Sequence, residues 1–189
     1  MLPEYSAAVP RFVLDPSLSR LAYRCWPDGC PRGRTCCMGL ILECSRREVR
    51  AIDSLMDELA VLLPSLRDGR SYRDVFVEDP PGYVVEHDER HGCPFLLHTR
   101  ERSLCAIHRV ALATGRPVAS VKPAACRHWP LTLEPEGRRV RVTVQEAARR
   151  FGCVAPRREL PRQPTVFEAF RPELEELCGP AILRRHAVG

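Results

Sequence analysis

The sequence predicts a small single α+β domain whose irregular loops are organised around a cysteine-rich centre. Three observations lead there. Five cysteines, Cys25, Cys30, Cys36, Cys37 and Cys44, fall within twenty residues. Between them stand Pro27, Asp28, Gly29, Pro31, Gly33, Arg34 and Thr35, which turn a chain and cannot build a core. Such a stretch gains too little apolar burial to offset the entropy of ordering it, so its thiols are the means of ordering it. After it, short alternating runs and short helical periodicities follow one another, and no long repeat of either kind is present. With 189 residues and 44% hydrophobic content, the chain can bury one ordinary core.

Taken in order, residues 1–20 read as an N-terminal arm. Arg11–Asp15 has the pattern of a short strand, and Pro3, Pro10 and Pro16 break the rest. Gly39–Glu43 is an apolar run expected as a strand. Ser45 with Glu48 three residues on is a capping box. It opens a helix whose Val49, Ile52, Met56, Leu59 and Leu63 share one face, with Pro64 and Gly69 as its stop. That helix reads as core packing that gives the cysteine loop something rigid to dock on. Asp74–Glu78 and Tyr83–Glu86 are expected strands about the turn Asp79-Pro-Pro-Gly82. Pro94–Leu97 reads as a strand, and Cys105–Thr114 as a helix closed by Gly115 and Pro117. Leu131–Leu133 and Arg139–Val144 make a hairpin, and Gln145–Phe151 a short helix ending at Gly152. Residues 154–164, rich in Pro and Arg, read as a linker. Thr165 and Glu168 form a second capping box before a C-terminal helical segment. The expected division is therefore an arm over 1–20, a cysteine domain over 21–153, and a linker with helical segment over 154–189.

Composition excludes several classes. The net charge of +5 is carried almost wholly by arginine, since Lys122 is the only lysine. The arginines are interleaved with Glu and Asp instead of clustered, which argues against a nucleic-acid face. No stretch approaches the length of a membrane span. The first residues lack a basic n-region and an apolar run, so a cytoplasmic location with reduced thiols is expected. There, clustered cysteines are more often metal-binding or catalytic than cross-linked. Phosphate-binding Gly-rich loops, His-Glu-x-x-His and Gly-x-Ser-x-Gly are absent from the sequence.

A tetrahedral metal site needs donors that converge from close and distant parts of the chain. Cys25, Cys30, Cys36 and Cys37 come from one loop. Cys93, Cys105, Cys126 and Cys153 each stand at the boundary of an element, where ligands are placed. The adjacent pair Cys36-Cys37 points its side chains apart and suits two metals, or two irons of one cluster, better than one ion. Arg24, Arg34 and Arg127 would screen the thiolate charge. Disulfides are the competing use of ten cysteines. Cys44 and Cys178 read as core thiols. His108, on one helix face with Cys105, and His128, two residues after Cys126, are further candidate ligands or partners of ligands. Cys105 with His108 could also form a nucleophilic pair, although that chemistry has no use for the other thiols.

These residues resemble the YkgJ-like cysteine-cluster family. The likeness is carried by Cys25…Cys30…Cys36-Cys37, Cys93-Pro-Phe-Leu, Cys105-Ala-Ile-His and Lys122-Pro-x-x-Cys126-Arg127-x-x-Pro130-Leu131, and covers residues 25–153. It implies a zinc- or iron-chelating domain with about eight shared cysteines, and no particular reaction. Flagellin lysine methylases carry a similar cysteine pattern. The expectation is thus a metal-binding protein holding zinc or iron, or an iron–sulfur cluster, on Cys25, Cys30, Cys36, Cys37, Cys93, Cys105, Cys126 and Cys153. The alternatives are a metal-dependent modifying or redox enzyme of methylase type, and a zinc-stabilised module that binds a protein partner.

Overall fold

The computed structural model describes residues 11–25, 30–31, 34–88 and 90–186. Residues 1–10 of the expected arm, and the turn residues Pro27, Asp28, Gly29 and Gly33, lie outside these. Helices and several small sheets of two or three strands make an α+β fold, as the sequence predicts. The contacts gather into two compact units, one spanning Cys25–Trp129 and the other combining the chain up to Arg24 with the chain from Pro130 onward.

In the unit Cys25–Trp129 the Ser45–Glu48 capping box forms as expected, with Ser45 N–H donating to Glu48 Oε2 at 2.8 Å. The helix it opens is not continuous to Leu63. It runs as Arg46–Asp53 and Met56–Leu62. Between them Ser54 Oγ donates back to the Ala51 carbonyl at 2.8 Å, a local bond that competes with the helical ladder. Leu55 leaves helical geometry (φ −114°, ψ 2°) and, fully buried, joins Ile52 and Leu59 in the core. Burial of each such side chain is worth about 1.5–3 kcal/mol. Gly69 does not end the helix. It lies in the turn between strands Arg67–Asp68 and Ser71–Tyr72.

Strands Phe76–Asp79 and Gly82–Val85 pair across the Pro80-Pro81 turn, and Glu43–Cys44 adds the third strand beside Gly82–Val85. The run Gly39–Glu43 is therefore mostly not strand. Cys36–Met38 is a 3-10 turn, and the amides of Gly39 and Leu40 donate to the Cys36 carbonyl, so they are not free for a ladder. Likewise the strand expected at Pro94 starts at Leu96, because Leu96 N–H closes a turn onto the Cys93 carbonyl at 2.9 Å. Phe95, inside that turn, is buried against Phe76 with ring centroids 6.0 Å apart. A strand not foreseen, Arg102–Cys105, pairs with Leu96–His98 on one side and Cys30–Pro31 on the other. It runs directly into the Ala106–Ala113 helix, with Cys105 at the N-cap. Two short helices, Val118–Val121 and Ala124–His128, complete the unit. Lys122 between them is extended (φ −82°, ψ 127°), as a residue before proline prefers.

The capping carboxylate has a second task. Glu48 Oε1 accepts the Ala124 amide at 2.6 Å, which fixes the helix that carries Cys126. Burial alone would raise the Glu48 pKa. The amides of Ala124 and Ser45 outweigh it and hold the value below the ordinary 4.5.

In the other unit, Arg11–Leu14 lies parallel to Arg139–Val144, which forms the expected hairpin with Leu131–Glu136. Residues 154–164 are not all linker: Val154–Pro156 is a strand paired with Leu21–Tyr23. The Thr165–Glu168 capping box is formed and opens Val166–Ala169, followed by Arg171–Cys178 and Pro180–His186. Leu18, Ala22, Val142, Val166 and Leu174 are fully buried here. Among the described residues of the chain, no helix is long and apolar enough to cross a membrane.

Glu48→Gln is expected to destabilise the protein by about 1–2 kcal/mol at neutral pH, the scale of a lost cap and charged hydrogen bond. Because the folded pKa is depressed, this contribution is full above the ordinary value and disappears as pH falls through the folded one. Urea denaturation of both proteins at pH 7 and at successively lower pH should show the deficit shrinking below 4.5.

Candidate metal centre

None of the ten cysteines, all among the described residues, is in a disulfide. The disulfide use of these thiols is not what the fold shows. Seven of the expected ligands belong to the unit Cys25–Trp129: Cys25, Cys30, Cys36, Cys37, Cys93, Cys105 and Cys126.

Local structure positions each of them. Thr35, only 2% exposed, caps the Cys36–Met38 turn by accepting the Cys37 amide. Its hydroxyl also favours the thiolate forms of Cys30 and Cys36. Cys30 pairs with Ser103 across the antiparallel ladder, so strict alternation puts Cys30, Ser103 and Cys105 on one face of that sheet. The first-turn amides of His108 and Ile107 face the Cys105 sulfur. Cys93 is tied to the first loop by its own amide, which donates to the Cys37 carbonyl at 2.9 Å. This requires Gly92: its φ is +78°, and a Cβ there would sit 2.7 Å from the Cys37 carbonyl oxygen and 2.8 Å from Met38 Sδ.

The sulfurs sense one another. The Cys37 thiol hydrogen-bonds Cys36, and this, with Lys122 and Thr35 adding, overcomes burial and lowers Cys36 to about 6. Its partner Cys37 is driven well up by that same bond, by burial and by the charges of Cys36, Cys105 and Cys93. Burial, then the nearby sulfurs of Cys105 and Cys36, pushes Cys93 up to about 12. Burial and Cys105 also raise Cys126, and burial raises Cys105 and Cys30. At the middle stands Lys122, half-buried. Burial favours losing its proton, but Cys105, Cys126, Cys36 and Cys25 together outweigh this and raise its pKa. The sequence points to Arg24, Arg34 and Arg127 for charge balance, and the structure adds Lys122. Its being the only lysine of the chain was the available signal.

The remaining candidates divide. Cys44, 3% exposed, is part of the apolar core, and its thiol is pushed by burial to about 12. Cys178 ends the helix Arg171–Cys178 in the other unit, half-buried and raised by burial to about 11. Cys153 also belongs to that unit. Its boundary position has a local cause. Gly152 (φ +74°) stops the Glu146–Arg150 helix, with Gly152 N–H on Arg149 O and Cys153 N–H on Ala148 O, the Schellman pattern that turns the next residue inward. His108 is half-buried, its pKa lowered by burial and by Lys122, and His128 is half-buried at the end of the helix bearing Cys126.

The donor set fits a thiophilic metal: thiolates on short turns and element ends, as zinc and iron–sulfur sites use. Among the described residues, no group of three or more Cys, His, Asp or Glu side chains stands close enough to hold an ion as placed. In comparisons with known proteins, the chain matches no protein-family model, no curated protein and no solved structure. The likeness to the YkgJ-like family remains an expectation from its motifs.

Gly92→Ala is expected to cost about 2–3 kcal/mol, since left-handed strain adds to a backbone clash. Gly115→Ala, at φ +68° with nothing within 4 Å, serves as the comparison and should cost about 1 kcal/mol. Denaturant midpoints of the two variants check the difference.

Proposed function

We propose that this chain is a metal-binding protein that chelates zinc or iron, as ions or as an iron–sulfur cluster, through cysteine thiolates. The observation that carries this reading is the mutual influence of thiols from four separate stretches: Cys36 acts on Cys30, Cys37, Cys93, Cys105 and Cys126, and Lys122 senses Cys105, Cys126, Cys36 and Cys25. Half-buried thiols have no reason to collect near one another for packing alone, and neighbouring sulfurs raise the cost of ionising each other. A bound cation removes that cost and takes the thiolates as ligands.

In this reading the chain's residues do three things. The thiols give up protons and bind. Thr35 and the amides of the Ala106–Ala113 helix orient Cys30, Cys36 and Cys105. Lys122 offsets the excess negative charge that several thiolates leave on a metal centre. A metal bound here would stabilise the fold on the order of 10 kcal/mol, as structural zinc does in small domains. That gain would order the stretch Cys25–Cys37, which has little apolar surface of its own. A protein partner and a cytoplasmic location go with this reading as further proposals.

The test is metal and sulfide analysis with visible absorption of the full chain prepared anaerobically. Stoichiometric zinc in a colourless protein supports the zinc form, and brown protein with matched iron and sulfide supports the cluster. Protein with neither metal overturns the reading. Cys36→Ser, Cys105→Ser and Cys126→Ser are expected to lose most of the metal, while Cys44→Ala and Cys178→Ala keep it. Cys153→Ala decides between eight ligands and seven: full metal content in that variant removes Cys153 from the set.

A further inference from the structure

Beside Cys93 lies a pocket of about 340 Å³ whose walls include His91, His98, Asp88, Glu86 and Arg73. We propose that this pocket is the loading port through which a divalent metal cation reaches the cysteine centre, with His91, His98 and Asp88 as transient ligands. The proposal rests on the metal-binding reading above and adds the route.

Three observations carry it. First, Cys93 is common to the pocket and the centre: it lines the cavity, and its sulfur is an electrostatic neighbour of Cys105 and Cys36. Second, the wall carries the right donors. Imidazole and carboxylate bind first-row divalent ions and release them to softer thiolates. Glu86 and Asp88 against Arg73 leave the lining with a formal surplus of negative charge while the histidines are neutral, which favours a cation. His91 and Asp88 stand at the mouth, with side chains 79% and 57% exposed and Nδ1 to Oδ1 at 3.0 Å. Third, a rung of side chains leads inward. His98 Nδ1 meets Ser103 Oγ at 3.2 Å, Ser103 is 2% exposed, and its ladder partner on the far side is Cys30. His98 Nε2 is held only by a long 3.4 Å contact with the His91 carbonyl, so it can exchange that contact for a metal.

Among the described residues, no group of three such side chains holds an ion as placed, so the ligation proposed is by these donors singly or in pairs.

The experiment uses metal-free full-length chain and Co²⁺ alone as probe. Stopped-flow absorption in the thiolate-to-cobalt charge-transfer region gives the loading rate, and its final amplitude gives the stoichiometry. His91→Ala combined with His98→Gln should slow loading on the order of 10-fold, the lower end of what losing groups that support a metal site costs, with the final amplitude unchanged. Gln keeps a polar contact for Ser103. His91→Ala alone, at a side chain 79% exposed, should slow loading by a smaller factor should the double variant fail to fold. An unchanged rate overturns the port and leaves the metal-binding reading standing. A reduced amplitude also overturns it, because the imidazoles would then be permanent ligands. Wild-type chain that takes up no cobalt overturns both.

Discussion

A backbone hydrogen bond from the Cys93 amide to the Cys37 carbonyl ties the first cysteine loop to the later part of the chain, and the Cys30–Pro31 strand beside Arg102–Cys105 ties it a second time. The first contact leaves no room for a side chain at position 92, which is why a glycine precedes the cysteine there. From this point the rest follows outward. The turn after Cys93 places Phe95 in the core and starts the strand Leu96–His98. Its neighbour Arg102–Cys105 brings Cys105 back beside Cys30 and Cys36.

The helical half of the unit supports this indirectly. Ile52, Leu55 and Leu59 anchor two helix segments in the apolar core, and the capping carboxylate of the first reaches across to the amide of Ala124. A residue that looks in sequence like ordinary helix punctuation thus holds the helix that carries Cys126. Burial and like charge push most thiols of the centre toward the protonated form, while Cys36, with the Cys37 thiol, Lys122 and Thr35 around it, goes the other way. That asymmetry gives one ready anion among reluctant thiols.

What the sequence revealed was the set of local signals. Both capping boxes, the Pro-Pro turn, the Leu131–Val144 hairpin and the glycine stops are read correctly because each is decided within a few residues. What it concealed was decided by partners far along the chain. Nothing near Ser54 announces that the long periodic helix breaks so that Leu55 can turn inward. Gly39–Glu43 has strand-like residues, but the amides of Gly39 and Leu40 are taken by a turn. Arg102–Cys105 is strand only because two other strands flank it. Spacing alone singles out eight cysteines as candidate ligands, and seven of them fall in the unit Cys25–Trp129. Spacing does not show Lys122, Glu48 or Gly92 beside them, since each acts through a contact with a distant segment. The boundary position of Cys153 has a local cause as well, the glycine helix stop before it.

The chain carries its surface charge on guanidinium groups, and its one side-chain amine is Lys122. That amine is half-buried, and the neighbouring sulfurs of Cys105, Cys126 and Cys36 raise its pKa, so acylating reagents meet mostly its protonated, unreactive form. Its rate of modification therefore follows the charge on those sulfurs. The chain's own composition has left a single side-chain amine in a position to sense them.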